Sequence, residues 1–409
     1  MEEIVLTATT NQPARIFIIS EFLSSQQNST GYFWEKIIYA IAPSNDSIHL
    51  ITSSNIEDKS LPLMQDFSVK RIPALKYKNN FFFLRVLNEI YLSGRYFIYL
   101  AKNISKNDIV YCGTNPVFLI LSLGLLKKIV RFKWILLVHD IFPDNLMATN
   151  KNADRFAPLL KTISALLVKC YAVTTSIIVI GRDMKLLIED KVKSKTLDIE
   201  YIPNFIDLEE FLLKIHPAEA GRPQDEITFS FFGNIGKMQG VKNLLAAIQY
   251  STATNARFLF VGSGTESFRV QRFIDQNPSK NVVLILGRTF DSGNEENYGD
   301  ISIASLAGGM KGCAVPSKAY FSLAANKPIL IIGDKGSELD LMIQEFPAIG
   351  WFCEADSSKK LAKLIDSISL QASQEKAYQP RDVIRSKYDY ALIRKDYLRH
   401  YIRIKELVL

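Results

Sequence analysis

The chain has 409 residues, 48% of them hydrophobic and 22% charged, and is long enough for two globular domains of ordinary size. Its four cysteines lie far apart without a C-x-x-C pair, which argues against a disulfide framework or a zinc site and favours a reducing cytoplasm. The net charge is +7, and the excess is concentrated between Lys59 and Lys133, where 13 basic residues stand against three acidic ones.

The amino terminus has no basic start followed by an apolar core, so the sequence predicts no secretory signal. The longest apolar run, 117–126, ends at two lysines and is shorter than the roughly 20 residues that a spanning helix needs. We therefore expect no transmembrane segment.

Short apolar runs that are typical of strands alternate with helical patterns along the whole chain. This alternation predicts two α/β domains, each with a doubly wound parallel sheet, that face each other across a cleft. We assign residues 1–205 to the first domain, 206–387 to the second, and 388–409 to a helix that returns to the first domain. The Pro-rich, charged segment 201–226 is the candidate linker. The predicted strands are 14–20, 47–52, 108–114, 133–140 and 176–181 in the first half and 227–233, 257–264, 281–287, 301–306 and 328–334 in the second, and helices are predicted at 33–42 and 156–173.

A polar loop, EFLSSQQNSTG, follows the first predicted strand and leads into a helix. Ser29 or Thr30 suits the capping position of that helix. Gly31 is the predicted point of close backbone approach to a bound ligand, because glycine leaves the backbone uncovered.

Basic and aromatic residues alternate on one amphipathic element at 76–106. The basic ones include Lys76, Lys78, Arg85, Arg95 and Lys102, and the aromatic ones include Phe81, Phe82, Phe83, Tyr91, Tyr96, Phe97 and Tyr99. Such an element suits the anionic headgroups of a membrane, where each basic residue contributes about 1 kcal/mol. Nucleic acid is the competing anion, because aromatic rings also stack on bases. The third interpretation is a core helix whose aromatic side chains pack inward.

His139 and Asp140 close the predicted strand KWILLVHD, and ligands of open α/β sheets bind at the carboxyl ends of strands. The chain has only four histidines, so a histidine at this place is a candidate for ligand contact. A structural histidine at a strand end is the alternative.

The segment FFGNIGKMQGVKNLLAAI, at 231–248, has the pattern of a strand, a loop with Gly233, Gly236 and Gly240, and a helix. Glycines let the backbone approach an anion, and a helix amino terminus offers N–H groups. The spacing matches neither the dinucleotide fingerprint nor a P-loop. Phosphate binding and an ordinary strand-to-helix turn are both consistent with this loop.

A second glycine-rich loop, GGMKG at 308–312, leads into Val315-Pro316-Ser317-Lys318. Pro316 lies near a predicted helix start. A lysine in the first turn opposes the helix dipole unless an anion lies nearby, so Ser317 and Lys318 are predicted to contact an anion. The alternative for Lys318, and more so for Lys311, is a solvated surface lysine.

Taken together, GNIGKMQG, VGSG, Gly287-Arg288 and GMKGCAVPSKAYFSLAANKPIL resemble the retaining glycosyltransferases of family 4, and most closely the bacterial surface-polysaccharide branch. LLVHDIFPDNL, VIGRDMKLLI and YIPNFIDLEEF resemble that family's upstream segments. The resemblance implies the GT-B architecture, in which two Rossmann-like domains flank a cleft and the second domain holds a nucleotide-diphosphate sugar. It also implies that His139 hydrogen-bonds the donor sugar or stabilises charge on its face, and that Asp140 or Asp144 orients His139.

Two departures from the family pattern concern the donor site. Many members have two glutamates separated by seven residues, the second of which grips the ribose, whereas Phe321 stands at the second position here. Many also have Arg and Lys in the first loop, where this chain has Asn234 and Gln239. The donor contacts predicted from the resemblance are Gly31, Gly233, Asn234, Gly236, Lys237, Gln239, Gly262, Arg288, Lys311, Pro316, Ser317 and Tyr320, and the predicted catalytic residues are His139, Asp140 and Lys318.

The resemblance therefore predicts retaining transfer of a sugar from a UDP- or GDP-sugar to a glycan or lipid-linked glycan acceptor in surface polysaccharide synthesis. No D-x-D motif occurs, so neither a metal clamp nor a cofactor besides the donor is expected. Because the resembling enzymes often build lipid-linked glycans, an anionic membrane is the preferred partner of residues 76–106, on the inner face of the cell membrane, and no nucleic acid is expected. The alternatives are a nucleotide-sugar 2-epimerase of the same architecture and a non-catalytic membrane scaffold, which the missing glutamate pair would fit.

Overall fold

The computed structural model describes residues 14–25, 27–44, 46–53, 67–75, 82–149, 155–214, 226–287, 299–368 and 379–407. These residues form two parallel sheets of seven and six strands, as expected for two doubly wound α/β domains. Within these ranges, no helix is both long and apolar enough to cross a membrane.

The first sheet is built from the amino-terminal half of the chain. Its strands are β1 (Arg15–Ile19), β2 (Ser47–Thr52), β3 (Ser68–Arg71), β4 (Ile109–Gly113), β5 (Lys133–Val138), β6 (Ser176–Val179) and β7 (Asp198–Tyr201). They lie in the order β3-β2-β1-β4-β5-β6-β7. The central strand β4 is buried along its whole length, because helices cover both faces of a parallel sheet.

Six helices belong to this half: α1 (Ser29–Ile41), α2 (Phe82–Asn103), α3 (Val117–Val130), α4 (Asp144–Thr149), α5 (Ala157–Tyr171) and α6 (Arg182–Val192). Four of them form a continuous layer, in which α2 packs against α3, α3 against α5, and α5 against α6. The cap of α1 is Asn28, whose side chain accepts a hydrogen bond from the N–H of Gly31. The prediction that Ser29 or Thr30 caps this helix is therefore wrong.

The second sheet has the order β10-β9-β8-β11-β12-β13. Its strands are β8 (Ile227–Phe232), β9 (Ala256–Val261), β10 (Val282–Ile285), β11 (Ile301–Ser305), β12 (Ile329–Gly333) and β13 (Gly350–Glu354). The remaining helices are α7 (Leu208–Lys214), α8 (Val241–Tyr250), α9 (Ser267–Gln276), α10 (Lys318–Ala324), α11 (Glu338–Glu345), α12 (Ser358–Ser367), α13 (Pro380–Val383) and α14 (Tyr390–Glu406). The first of these, α7, lies inside the predicted linker, so that segment is not simply a connection, and residues 215–225 of it lie outside the described ranges.

The last helix, α14, packs against α1 of the first half. The hydroxyl of Tyr401 donates a 2.7 Å hydrogen bond to Asp46, and Arg403 pairs with Asp198 at 2.9 Å. The end of the chain therefore crosses back to the first sheet after the second one is complete.

Candidate functional site

The two halves meet directly where β5 ends. Asp140 forms an isolated antiparallel bridge with Ala314, and the N–H of Ile141 donates a 2.9 Å hydrogen bond to the carbonyl of Cys313. Ala314 lies two residues before Pro316 in the sequence. The bridge therefore brings the predicted residues at the end of β5 next to the VPSK segment, although the two lie far apart in the chain.

His139 follows β5 and lies beside Trp34, with ring centroids 6.4 Å apart. Its Nε2 atom is shielded from solvent and has no hydrogen-bond partner among the described residues. Burial lowers the pKa of the imidazole to about 4, so the ring is neutral at pH 7. A neutral ring suits hydrogen bonding to a polar ligand better than the predicted stabilisation of charge.

The carboxylate of Asp140 is held inside the first domain. It accepts hydrogen bonds from Thr114 at 2.8 Å and from Asn145 at 3.2 Å, and burial raises its pKa. Asp144 pairs instead with Lys191 at 2.8 Å. The expectation that Asp140 or Asp144 orients His139 is therefore not met. The hydrogen bonds of Asp140 instead stabilise the turn between β5 and α4.

The glycines of the VGSG loop bring two loops of the second domain into contact. A β-carbon at Gly262 would lie 2.0 Å from the carbonyl oxygen of Gly233, and one at Gly264 would lie 2.4 Å from that of Ile235. The N–H of Ile235 also donates a 3.0 Å hydrogen bond to the carbonyl of Ser263. The contact between the two loops explains why residue 262 is a glycine, without any bound ligand. This corrects the prediction, which attributed Gly262 to contact with the donor.

The GNIGKMQG loop is partly closed by its own side chain. Gln239 accepts a 3.2 Å hydrogen bond from the N–H of Gly236, so this amide and this side chain, both predicted to contact the donor, are bonded to each other. Asn234 and Lys237 are exposed on the same loop. They are the members of the predicted set on this loop whose side chains are open to a ligand.

The GGMKG loop is shaped by Asp334, which follows β12. The Asp334 carboxylate accepts hydrogen bonds from the N–H groups of Gly309 at 3.1 Å and Lys311 at 2.8 Å. The Lys311 ammonium lies so close to Gly336 that a β-carbon there would be 2.7 Å from Nζ. Lys311 thus extends along the loop after β12, which fits the surface-lysine alternative.

Lys318 is the first residue of α10, directly after Pro316 and Ser317, both half-buried. Its Nζ lies 3.5 Å from the ring centroid of Phe231, and a cation over an aromatic face is attracted by the ring quadrupole. Phe231 stands two residues before Gly233, at the end of β8. The contact therefore brings the start of α10 next to the GNIGKMQG loop.

Two later residues of α10, Tyr320 and Phe321, pack against other side chains of the protein. Tyr320 is fully buried, with its ring 5.1 Å from that of Tyr388, so it cannot contact a ligand in the predicted way. The ring of Phe321 lies 5.5 Å from Tyr32 of α1 and 6.4 Å from Phe211 of α7. The residue at the usual glutamate position thus packs α10 against its neighbours instead of offering a carboxylate.

Gly31 and Arg288 are also predicted donor contacts. A β-carbon at Gly31 would lie 2.1 Å from the carbonyl oxygen of Ser24, so the backbone that approaches Gly31 belongs to the preceding loop of the chain itself. This corrects the prediction that a ligand requires glycine there. Arg288 lies outside the described residues.

An ion pair with a buried carboxylate, which the sequence did not reveal, joins the two halves. Glu338, at the start of α11, is 1% exposed and pairs with Arg182, at the start of α6, at 2.9 Å. Tyr201 donates a 2.9 Å hydrogen bond to the same carboxylate, and the N–H of Gly312 donates one of 2.7 Å to Asp183. These contacts fix how the second domain sits against the first, but no local pattern marks them because the partners are so far apart in sequence.

Residues 214–381 match the family described as glycosyl transferases group 1. A probable glycosyltransferase of Pseudomonas aeruginosa, WbjE, is 32% identical over 386 residues, which cover 92% of this chain and 94% of WbjE.

Two solved structures have a similar fold. Sucrose-phosphate synthase from Thermosynechococcus elongatus has a TM-score of 0.75 at 14% identity, with 96% of this chain and 99% of that one covered. HepE of Anabaena, solved in complex with UDP, has a TM-score of 0.66 at 13% identity, with 95% of this chain and all of that one covered. At these identities the similarity shows a shared fold.

Proposed function

The chain belongs to the group 1 glycosyl transferases, and from that premise we propose that it moves a sugar from a UDP- or GDP-sugar to a glycan or lipid-linked glycan of surface polysaccharide synthesis. The predicted enzyme class and GT-B architecture are confirmed, and the non-catalytic scaffold is left without support. The nucleotide, the retaining course of the reaction and the acceptor are proposed.

The observation that carries the proposal is the junction of three segments. The bridge between Asp140 and Ala314 brings His139 close to the VPSK segment, and the contact of Lys318 with Phe231 brings that segment to the GNIGKMQG loop. A neutral hydrogen-bonding group thus comes together with a cation and a polar loop. This combination suits a ligand with a sugar at one end and a diphosphate at the other.

In the proposed reaction, the bond between the anomeric carbon and the diphosphate oxygen breaks while a bond to the acceptor oxygen forms on the same face. The acceptor's proton passes to the leaving diphosphate, so no side-chain base is required. Lys318 would stabilise the charge that develops on the diphosphate, and Lys237 and Asn234 are the exposed groups of the neighbouring loop that could assist. His139 would hydrogen-bond the sugar. We propose that no metal or further cofactor takes part.

UDP is the first nucleotide to test, because HepE was solved with UDP bound. Phe321 cannot grip the ribose as a glutamate would, so the second-domain loops must supply that contact. A thermal-shift panel of nucleoside diphosphates tests this step, since a bound ligand raises the melting temperature. A shift with UDP or GDP is expected, and no shift with either would contradict the proposed donor class.

Transfer itself is tested by incubating the enzyme with the selected nucleotide sugar, with and without a glycan acceptor. Release of nucleoside diphosphate together with an elongated acceptor of unchanged anomeric configuration is expected. Conversion of the donor to its 2-epimer without an acceptor would favour the epimerase instead, and an inverted product would overturn the retaining course.

We also propose that the enzyme works at the inner face of the cell membrane, where lipid-linked acceptors lie. The sequence analysis expected the aromatic residues of 76–106 to contact the membrane, but those of α2 pack inward. Tyr96 is fully buried, and Tyr91, Phe97 and Tyr99 pack partly against the core. Arg95 and Lys102 of α2 are exposed. Residues 76–81 lie outside the described ranges, so α2 alone provides only part of the predicted surface.

A further inference from the structure

The outer helical layer of the first domain carries an unusual share of exposed apolar side chains. Nine of the nineteen large apolar side chains that are exposed in the described residues lie on or directly beside the four helices of this layer. They are Leu87, Ile90 and Ile98 on α2, Leu125 and Ile129 on α3, Phe156, Leu159 and Leu166 on or before α5, and Leu186 on α6.

The exposed apolar residues of α3 and α5 form stripes. Leu125 and Ile129 lie one turn apart on α3 and are 58% and 71% exposed. Leu159 and Leu166 lie two turns apart on α5 and are 58% and 44% exposed. Side chains at these spacings point to the same side of a helix, so each helix presents an aliphatic stripe outward.

The charges on these two helices are all positive. The sequences of α3 and α5 contain four lysines and no Asp or Glu. Lys127 bonds inward to the carbonyl of Phe132, whereas Lys128, Lys161 and Lys169 are exposed. Arg131, which follows α3, is exposed as well. On α3 and α5, the aliphatic stripes share their helices with cations and with no acidic residue. This combination complements a surface that is apolar within and anionic outside.

The two stripes belong to one surface because the helices are in close contact. Gly124 of α3 faces Cys170 of α5, and a β-carbon at Gly124 would lie 2.5 Å from the Cys170 sulfur. Glycine therefore permits this approach. Lys128 lies close enough to Cys170 to lower the pKa of its thiol, against a larger effect of burial that raises it. Lys128 of α3 thus lies near α5.

We infer that the outward face of α3 and α5 docks the enzyme on an anionic phospholipid bilayer, with Leu125, Ile129, Leu159 and Leu166 in the interface and the lysines against the headgroups. This inference deepens the proposed function, since a bilayer-docked enzyme would meet a lipid-linked acceptor. It moves the membrane contact from the aromatic side chains of α2 to the neighbouring helices.

Other occupants fit this face less well. A second copy of the chain would bring two basic faces together, and like charges across an interface are unfavourable. Nucleic acid would match the charge, but four of the five exposed apolar side chains on or directly before α3 and α5 are aliphatic, Phe156 being the exception. Aliphatic side chains do not stack on bases as aromatic rings do. A bilayer satisfies both the charge and the aliphatic character.

The test is sedimentation of the full chain with vesicles of phosphatidylcholine alone and of phosphatidylcholine mixed with phosphatidylglycerol. Binding to the anionic vesicles, weakened by salt, is expected. Lys161→Gln with Lys169→Gln should weaken it about thirtyfold, because each cation contributes about a factor of five. Leu125→Ser with Ile129→Ser should weaken it at least tenfold, on the order of the transfer of two partly buried aliphatic side chains.

Matched controls lie elsewhere on the surface. Leu213→Ser on α7, where the side chain is 83% exposed, and Lys360→Gln with Lys363→Gln on α12 should bind vesicles as the unmodified chain does. Equal loss in these variants, unchanged binding in the α3 and α5 variants, or equal binding to neutral vesicles would each overturn the inference. A dimer that Ile129→Ser dissociates would also overturn it, because a second copy would then be the occupant.

Failure of docking and failure of the proposed function are separable. Thermal shifts with UDP and GDP, measured without vesicles, should be the same in the α3 and α5 variants as in the unmodified chain. Vesicle binding without a thermal shift by UDP or GDP would support the docking surface and contradict the proposed donor. A thermal shift without vesicle binding would contradict only the docking surface.

Discussion

The two domains contribute to the candidate site in different ways. At the end of β5, polar side chains are fixed in place: Asp140 is held by Thr114 and Asn145, and His139 is left neutral beside Trp34. On the second domain, loops are held in place by glycine contacts and by bonds to main-chain N–H groups, as Gly262 against Gly233 shows.

The difference indicates which kind of substitution each side tolerates. On the second domain, a side chain added at a loop glycine should damage the shape of the site, whereas removal of a functional side chain should damage only the chemistry. On the first domain, the protonation state of His139 should be set by its surroundings. Three measurements can break or sharpen this contrast.

The largest effect is expected for Gly262→Ala. The new β-carbon would meet the Gly233 carbonyl at 2.0 Å, at a backbone φ of 142° that L-residues rarely adopt. The free energy of unfolding should fall by at least about 3 kcal/mol, measured by denaturant titration. The control is Gly94→Ala in α2, where nothing lies within 4 Å and alanine should stabilise the helix by roughly 0.5–1 kcal/mol. Similar changes in both variants would mean that loop packing does not explain Gly262.

The second effect concerns the cation at the start of α10. Lys318→Ala should lower turnover by about a hundredfold, the usual effect of losing one electrostatic donor to developing charge. Lys311→Ala, whose ammonium lies beside Gly336, should lower turnover by no more than about fivefold, as expected for an exposed charge. Steady-state kinetics of both folded variants measure the two losses of turnover. Unchanged turnover in Lys318→Ala would remove its proposed role, and a larger loss in Lys311→Ala would reverse the assignment.

The smallest effect concerns pH. The pKa of His139 is lowered to about 4 in the folded chain, against about 6.5 when unfolded. Between these values the unfolded chain binds a proton that folded His139 does not, so the free energy of unfolding should decrease as pH falls from 6.5 towards 4. His400 behaves in the same way, so His139→Asn should reduce this slope without abolishing it. An NMR titration of His139 with a midpoint near 6.5 would contradict the neutral ring.

The strands show how far the sequence pattern extends. All ten predicted strands are present within two or three residues of their predicted ends. The three that were missed, β3, β7 and β13, each lie at an edge of a sheet. Edge strands are only partly covered, so they lack the continuous apolar run that identifies a buried central strand.

The site was predictable to a lesser degree. The sequence located the strand ends and glycine-rich loops correctly. It did not always show why a given residue type occupies a given position in them. Gly262 and Gly31 are glycines because other parts of the chain approach them, Gln239 bonds to Gly236 of its own loop, and Tyr320 is buried against Tyr388. A glycine or a polar residue in a loop has the same pattern whether its neighbour is a ligand or the protein itself.

The sequence by itself determined the two-domain α/β architecture and the places along the chain where ligand contacts could arise, because apolar periodicity and loop glycines are local features. Only the tertiary structure decided which of these places meet: the bridge from Asp140 to Ala314, the contact of Lys318 with Phe231, and the pairing of Arg182 with Glu338. The physical reason is that all three contacts join residues far apart in sequence, which no local pattern encodes. The first and the last also depend on how the two domains pack together, whereas the contact of Lys318 with Phe231 depends on the folding of the second domain.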